Sequence, residues 1–350
     1  MARVALLLLF SLGVAEGLLS SGCRLLRSPG GVARSLPVAS APDDFETLDV
    51  RTHEQSQAAH LSDFGALGVT VPEVVPNLEG LNISQPNALQ AAVFAPLASG
   101  RDAIIAACTG SGKTLAFLLP LLEQLDGNSK EPQALVLCPS RELAFQTARV
   151  AEKVLEGSPL RVVAVAGGAN AARQIERVRK VRPQLLVGTA GRVCELTFEM
   201  RKLKLQRVRH LVIDEVDDAL RGANLDSTAK LIQCFRDGRP LQIIFASATA
   251  DTPMVRRSAM QLLDKPLMIR LMGAERDGVV SELPEGISHG VYVLPAQKHL
   301  DSIRQLANSD PKPRCIVFVD SPHRARIICD KLANDLNIDA VPLHGQQARD

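Results

Sequence analysis

The chain has 350 residues, 46% of them hydrophobic and 22% charged, which is enough for about two globular domains and excludes intrinsic disorder over most of the length. Its 40 Lys and Arg residues against 38 Asp and Glu give a formal charge of +2, so any surface for nucleic acid must be a local basic patch. Aromatic residues make up 3%, which argues against a surface of many stacked rings. The seven cysteines form no CxxC pair, a pattern that fits neither a zinc site nor a disulfide framework and favours a reducing compartment.

The first 45 residues combine two targeting patterns. Arg3 precedes an apolar run over residues 4–14, so residues 1–16 resemble a signal peptide. This run is too short for a transmembrane helix, and we expect no stable membrane insertion of the mature protein. Residues 17–45 are rich in Arg and Ser with no acidic residue before Asp43, which is typical of a transit peptide.

A signal followed by a transit segment is similar to the bipartite presequences of algae with secondary plastids. We therefore expect an organellar protein, with a plastid favoured over a mitochondrion. A mitochondrial presequence with an apolar start and an incorrectly assigned first exon are the alternative interpretations.

The chain after residue 45 alternates short apolar runs with longer amphipathic segments. The predicted strands are 103–107, 134–138, 162–166, 184–188, 210–214 and 242–246, and the predicted helices include 114–125, 141–155 and 171–181. Apolar strands separated by helices predict an α/β fold whose parallel sheet has helices on both faces.

A second, shorter series of elements begins near residue 291. It comprises predicted strands at 291–294, 315–319 and 340–343, with a helix from Lys298 and another after residue 319. The Gly-, Pro- and charge-rich stretch 273–288 is the predicted linker. We therefore expect a first lobe over 46–272 and a second, incomplete lobe over 289–350.

A phosphate-binding pattern follows the first predicted strand directly. Residues 107–114 read ACTGSGKT, which is the P-loop pattern with Ala in the opening position. Gly110 and Gly112 allow backbone N–H groups to surround an anion at the start of the next helix. Lys113 is expected to reach the β- and γ-phosphates of a nucleotide, and the Thr114 hydroxyl to bind Mg²⁺.

Two carboxylates end the predicted strand at 210–214. Asp214 is the candidate Mg²⁺ ligand, and Glu215 is placed to orient or deprotonate an attacking water. A surface acidic turn is the alternative interpretation of this pair, but the P-loop earlier in the chain favours a metal–nucleotide site.

At this point the motifs resemble those of the DEAD-box RNA helicases. Residues 214–217 read DEVD, with Val in place of the Ala of the DEAD box. The other matching segments, in family order, are PNALQ at 86–90 (Q motif), PSRELA at 139–144 (motif Ia), the GG doublet at 167–168, TAGR at 189–192 with Ala in place of Pro, and SAT at 247–249.

The resemblance implies a RecA-like P-loop NTPase lobe that binds ATP and Mg²⁺ and grips the RNA backbone without reading bases. It implies nucleotide contacts from Gln90, which reads adenine, from Phe64 as a stacking aromatic, and from Thr109, Gly110, Ser111, Gly112, Lys113 and Thr114. It implies RNA contacts from Pro139, Arg141, Gly167, Gly168, Thr189, Gly191 and Arg192, and coupling of the two activities by Ser247 and Thr249. Catalysis is expected from Lys113, Asp214 and Glu215.

Several of these residues also have simpler interpretations. Gln90 alone in a loop is most often solvated surface, Phe64 is equally well a core aromatic, and Ser247 and Thr249 suit a helix cap. The basic runs 177–182 and 201–207 are more simply solvated faces than RNA contacts.

The chain ends at Asp350, before the family's motifs V and VI and the arginine fingers of the latter. Because an arginine finger contributes roughly 10³–10⁵ in rate, we expect this chain to bind ATP yet hydrolyse it barely, and to be a fragment of a longer helicase. The alternative is an ATP-binding RNA clamp or scaffold without turnover; a DNA-directed helicase is a third. Protein partners in an organellar ribonucleoprotein are a further expectation.

Overall fold

The computed structural model describes residues 7–9, 45–51, 63–235, 240–272, 275–276, 279–280, 298–308, 315–336 and 338–343. The chain divides into two compact units, Ala39–Glu282 and the combination of Met1–Val38 with Leu283–Asp350. Except for Leu7–Leu9 and Phe45, the two predicted targeting segments lie outside the described residues, as does the predicted strand at 291–294. The predicted domain limits stay predictions.

The unit Ala39–Glu282 is built on an eight-stranded parallel sheet, so the predicted α/β class is confirmed. Its strands are β2 (Glu46–Arg51), β3 (Ala103–Ala106), β4 (Ala134–Leu137), β5 (Val162–Val165), β6 (Leu185–Gly188), β7 (His210–Asp214), β8 (Gln242–Ser247) and β9 (Leu267–Met272). In space they follow the order β2, β9, β3, β8, β7, β4, β6, β5. The six predicted strands are present within two residues at each end, whereas β2 and β9 were not predicted.

Helices cover both faces of this sheet. They are α1 (Phe64–Leu67), α2 (Val74–Gly80), α3 (Ala88–Ala98), α4 (Lys113–Leu122), α5 (Arg141–Val154), α6 (Ala171–Val181), α7 (Ala190–Cys194), α8 (Val216–Ala219), α9 (Gly222–Phe235) and α10 (Pro253–Leu262). A single π-turn, Glu195–Glu199, follows α7.

Two buried clusters hold these layers together because side chains alternate along each strand. Ile105 lies in one cluster with Leu97 of α3 and Phe117 of α4. Its neighbour Ile104 lies in the other cluster with Val193 of α7 and Val255 of α10. All six side chains are fully buried, so the apolar strands have a core on each face, as the absence of polar alternation predicts.

The second unit is smaller. It contains β1 (Leu7–Leu9), α11 (His299–Ala307), β12 (Ile316–Phe318) and α12 (Pro322–Leu336), and β1 pairs in parallel with β12. Two short strands, β10 (Glu275–Arg276) and β11 (Val279–Val280), pair with each other. Both lie in the predicted linker and belong to the unit Ala39–Glu282.

The predicted strand at 340–343 has no regular secondary structure, so that prediction is wrong. Val341 and Leu343 are 70% and 82% exposed. A short apolar run becomes a strand only when a neighbour pairs with its backbone, and within the described part of the chain none does. No helix in that part is long and apolar enough to cross a bilayer.

Candidate active site

The predicted motifs meet at one edge of the large sheet. Since parallel strands share a direction, the segments that follow them all lie at the carboxyl edge, where open α/β sheets bind ligands. The order of the strands divides this edge in two. The P-loop follows β3, Ser247 ends β8 and Asp214 ends β7, and these three strands are neighbours; motif Ia, TAGR and the GG doublet follow β4, β6 and β5, which are also neighbours.

The P-loop forms an open cradle between β3 and α4. Gly110 and Gly112 have φ values of +82° and +84°, a conformation that side chains disfavour. The Ser111 hydroxyl donates to the Cys108 carbonyl at 2.6 Å, which fixes the turn, and helix α4 begins at Lys113. Residues 108–110 are exposed, so their backbone is accessible to a ligand.

Lys113 is held under this cradle. Its side chain is 7% exposed, its Nζ donates to the Ala107 carbonyl at 2.7 Å, and it lies 3.8 Å from Glu215 Oε1. The ammonium group is therefore held beneath the cradle and beside Glu215 in the ligand-free chain.

The predicted adenine motif is tied directly to the P-loop. Asn87 and Gln90 form a capping box at the start of α3, with both bonds at 2.9 Å. Asn87 Nδ2 also donates to the Ser111 carbonyl at 2.9 Å, and Gln90 Nε2 lies 3.5 Å from the Gly112 carbonyl. Asn87 was not among the predicted site residues, although a capping residue followed three positions later by Gln is a recognisable helix-start signal.

Asp214 and Glu215 form a pair of carboxylates beside Lys113. Asp214 is 7% exposed, and Glu215 adopts a left-handed conformation with φ +46° that directs the chain sharply out of β7. Burial and the neighbouring charge of Glu215 raise the pKa of Asp214 from 3.8 to about 6, against the opposing effect of Lys113 and of the Glu215 backbone N–H. Such a shift is typical of functional sites.

Replacement of Asp214 by asparagine is expected to stabilise the ligand-free fold. A carboxyl whose pKa is raised in the native state destabilises that state wherever it is ionised, so the variant should gain about 1–3 kcal/mol in the free energy of unfolding above pH 6. The gain should fade as the pH falls from 6 to 4, because Asp214 is then protonated in the native chain too. Urea denaturation with a chelator present measures this; a variant less stable than wild type at pH 7.5 would contradict it.

The donor set fits a Mg²⁺ ion. Asp214 supplies a carboxylate destabilised by burial and a like charge, and Thr114 supplies a half-buried hydroxyl in the first turn of α4. Hard oxygen ligands in small number, completed by water and phosphate oxygens, are the usual protein environment of Mg²⁺. A bound cation would also relieve the repulsion between Asp214 and Glu215.

The segment after β8 is bonded to the segment after β7. Ser247 Oγ donates to Asp217 Oδ1 at 2.5 Å, and the Thr249 N–H donates to Ser247 Oγ at 3.0 Å. Burial acts to raise the pKa of Asp217, but hydrogen bonds from the Ser247 and Thr249 hydroxyls outweigh it and hold that pKa below its usual value. Ser247 and Thr249 thus bind Asp217, the last carboxylate of the DEVD segment, which was not among the predicted site residues.

The other half of the edge carries a half-exposed arginine over a glycine. Helix α5 is capped by Ser140, which places Arg141 at its start and its guanidinium against Gly168, whose φ is +73°. A Cβ at Gly168 would lie 2.0 Å from Arg141 Nη1. Gly167 N–H donates to Thr189 Oγ1 at 3.4 Å, so the segments after β5 and β6 also touch.

Substitution of Gly168 by alanine should displace the Arg141 guanidinium and weaken RNA binding severalfold while leaving ATP affinity unchanged. Gly100→Ala is the matched control, because Gly100 has φ +82° with open space around its missing Cβ and so carries the backbone strain alone, about 1 kcal/mol. Fluorescence anisotropy with a labelled single-stranded RNA measures both variants. Equal RNA affinities in the two would show that Arg141 does not hold RNA.

Two predicted contacts need correction. Arg192 is 9% exposed, its Nη1 donates to Gln174 Oε1 at 3.2 Å and its Nε lies 2.9 Å from Glu195 Oε2, so it braces α6 and α7 and presents no free cation to RNA. Phe64 is 0% exposed, so its ring is a core aromatic and has no face for adenine. No sequence pattern indicated Gln174. Its side chain also donates to the Ala166 carbonyl at 2.9 Å, so it connects Arg192 to the residue that follows β5.

The remaining predicted contacts lie at the same edge with accessible surface. Pro139 and Thr189 are half-buried, Gly191 is exposed, and Thr109 is exposed in the cradle. Val216, at the position where the DEVD segment departs from DEAD, is fully buried.

Comparison with known proteins finds similar helicases. A family model described as DEAD/DEAH box helicase matches residues 87–257. The chain is 30% identical over 261 residues to DEAD-box ATP-dependent RNA helicase CshC of Bacillus cereus, which covers 75% of this chain and 64% of that protein. It is 32% identical over 280 residues to ATP-dependent RNA helicase DeaD of Mycobacterium tuberculosis, covering 80% and 47%.

A solved structure of Mss116p bound to ssRNA and AMP-PNP is similar with a TM-score of 0.69 at 20% identity, covering 86% of this chain and 63% of that chain. This likeness bears on the fold, and the RecA-like prediction is confirmed. The chain spans less than two thirds of the length of each of these relatives.

Proposed function

We propose that the chain, which matches the DEAD/DEAH box helicase model over residues 87–257, belongs to that family and takes part in ATP-dependent RNA strand separation or ribonucleoprotein remodelling. The observation that carries this proposal is the division of the sheet's carboxyl edge into two halves. The phosphate half follows β3, β7 and β8, and the half expected to hold the RNA backbone, here called the backbone-gripping half, follows β4, β5 and β6. The Ser247–Asp217 hydrogen bond lies in the phosphate half, between the carboxyl ends of β8 and β7.

ATP is the proposed nucleotide. Its β- and γ-phosphates would enter the cradle over Gly110 and Gly112, where Lys113 exchanges its Ala107 carbonyl for phosphate oxygens. Gln90 is buried beside the loop and bonded to Asn87 and Gly112, so its amide would have to turn from these partners to read the adenine edge. Mg²⁺ bound by Asp214 and Thr114 would supply charge neutralisation at the phosphates.

Hydrolysis needs a water aligned with the γ-phosphate. Glu215 is the residue that would orient this water and accept its proton, since its carboxylate lies 3.8 Å from Lys113 Nζ and is a quarter exposed. Positioning and charge stabilisation dominate phosphoryl transfer, so few other groups are required from this unit.

RNA is the proposed second ligand. Half-exposed Arg141 and the backbone around Gly167, Gly168, Thr189 and Gly191 offer cations and N–H groups, which suit phosphates and carry no base information. Ser247 and Thr249 would transmit the state of the nucleotide through Asp217.

An organellar location, with a plastid favoured, and partners in an organellar ribonucleoprotein are part of this proposal. They rest on the composition of residues 1–45. Expression of these residues fused to a fluorescent protein tests the location, and a cytosolic reporter would contradict it.

ATP hydrolysis measured with and without single-stranded RNA tests the proposed function, with DNA of the same sequence as the control. Turnover is expected to be slow without arginine fingers, and the expected result is that RNA, but not DNA, stimulates it. Binding of ATP and RNA without turnover would instead support an RNA clamp, and binding of neither would overturn the proposal.

A further inference from the structure

The edge strand β2 is linked to the segment that follows the coupling residues. Asp49 of β2 and Arg270 of β9 are cross-strand partners in the parallel register. Their side chains form a two-pronged ion pair, with Arg270 Nε at 2.7 Å from Asp49 Oδ1 and Nη2 at 3.0 Å from Asp49 Oδ2. The third nitrogen of the same guanidinium, Nη1, donates to Asp251 Oδ2 at 3.1 Å.

Asp251 lies two residues after Thr249, in the short segment between β8 and α10. Its other oxygen accepts a hydrogen bond from Arg256 Nε, and the Arg256 guanidinium lies 6.0 Å from the centre of the Phe45 ring, just before β2. Arg270 of β9 therefore holds the segment to the sheet, and Arg256 holds it to α10.

The local backbone offers little else to fix this segment. Thr252 occupies the capping position of α10 without making a side-chain cap, and its hydroxyl is buried with no hydrogen-bond partner. The Thr252 N–H reaches the Thr249 carbonyl at only 3.3 Å. A helix start without its cap lacks about 1 kcal/mol of local stabilisation. Thr249 is bonded to Ser247 and Ala250 is fully buried, and beyond these two residues the charged contacts of Asp251 hold the segment.

We propose that Arg270 is a positioning residue, which ties strand β2 through Asp49 to the segment after Thr249 and so sets how strongly ATP and RNA binding influence each other. The ion pairs are a quarter to a half exposed, and pairs of that kind contribute little to overall stability. Their effect is therefore geometric: a planar fork fixes both carboxylates at once, which a lysine cannot do. This inference rests on the proposed function only for its effect on coupling.

The variants are Arg270→Met, which removes both contacts, Asp49→Asn, which removes the charge and one of the two acceptors of the strand contact alone, and Arg270→Lys, which keeps the charge without the fork. Glu46→Gln is the matched control. Glu46 also ties β2 to the sheet, through Arg101 at 2.6 Å, but this pair includes no residue of the segment after Thr249.

Hydrogen–deuterium exchange on the full chain tests the tether without any ligand. We expect the amides of residues 248–252 to exchange about 3–10-fold faster in Arg270→Met and Asp49→Asn, as in local opening, and at the wild-type rate in Glu46→Gln. Exchange unchanged in Arg270→Met, or accelerated equally in Glu46→Gln, would overturn the proposal.

Coupling is measured as the ratio of RNA affinities with and without AMP-PNP. Arg270→Met should lower this ratio about 3–10-fold with little change in melting temperature, Arg270→Lys should lie between, and Glu46→Gln should match wild type. If the wild type shows no effect of AMP-PNP on RNA affinity, the proposed function fails. The exchange result still decides whether Arg270 ties β2 to the segment after Thr249. If wild type and Arg270→Met couple equally, the inference fails while the proposed function stands.

Discussion

Replacement of Lys113 by alanine is expected to lower the affinity for ATP by at least about 10²-fold. The lysine is buried under the cradle with its Nζ at 2.7 Å from the Ala107 carbonyl, so it needs no large movement to reach the β- and γ-phosphates. Two charge-assisted hydrogen bonds at about 1.5–3 kcal/mol each account for a loss of this size. Titration with a fluorescent ATP analogue measures it.

The loss should depend on the phosphates of the ligand. ADP, which lacks the γ-phosphate, should be affected less than ATP, and AMP scarcely at all. Lys180→Ala, an exposed lysine of α6, is the control for removal of one positive charge. Wild-type affinity for ATP in Lys113→Ala would refute the P-loop assignment.

Replacement of Glu215 by glutamine should separate binding from hydrolysis. Loss of a general base or of the group that orients the attacking water lowers the rate of hydrolysis by about 10²–10⁴-fold. ATP affinity should stay the same or rise, since the substitution removes a negative charge close to Lys113 and the phosphates. Single-turnover hydrolysis with saturating RNA, beside equilibrium binding, distinguishes the two effects.

Asp218→Asn is the matched control for Glu215→Gln, because Asp218 follows in the same acidic segment and is exposed. It should hydrolyse ATP at the wild-type rate. If both variants lose activity equally, the effect is one of net charge and Glu215 has no specific role.

Strands β3 to β8 could be predicted because they are apolar on both sides, whereas β2, at one edge of the sheet, and its neighbour β9 could not. Strands β3 to β8 are almost entirely buried, which leaves an unbroken run of apolar residues in the sequence. Strands β2 and β9 instead carry Asp49 and Arg270 in mid-strand. Each charge is satisfied by the other across the strand pair, a contact that neither segment shows alone.

The candidate site could be predicted where local backbone geometry requires particular residues. Gly110, Gly112 and Lys113 follow from the shape of a phosphate loop, and the structure shows positive φ at both glycines with Lys113 buried after them. Arg192 was misjudged because its partner Gln174 comes from another helix, so the sequence around it gives no sign that its charge is occupied. Phe64 was misjudged because burial depends on packing across the whole lobe.

The order of the strands has a consequence for synthesis on the ribosome. Strands β4, β5 and β6 are neighbours in space and come from residues 134–188, so the backbone-gripping half can pair as soon as that stretch emerges. The phosphate-loop strand β3 lies between β8 and β9, which are among the last parts of this unit to be translated. Because contacts distant in sequence form late, we expect the nascent chain to complete its nucleotide pocket only after residue 272 has left the exit tunnel. Before that point, ATP has no complete site to bind and so cannot stabilise the fold of the nascent chain.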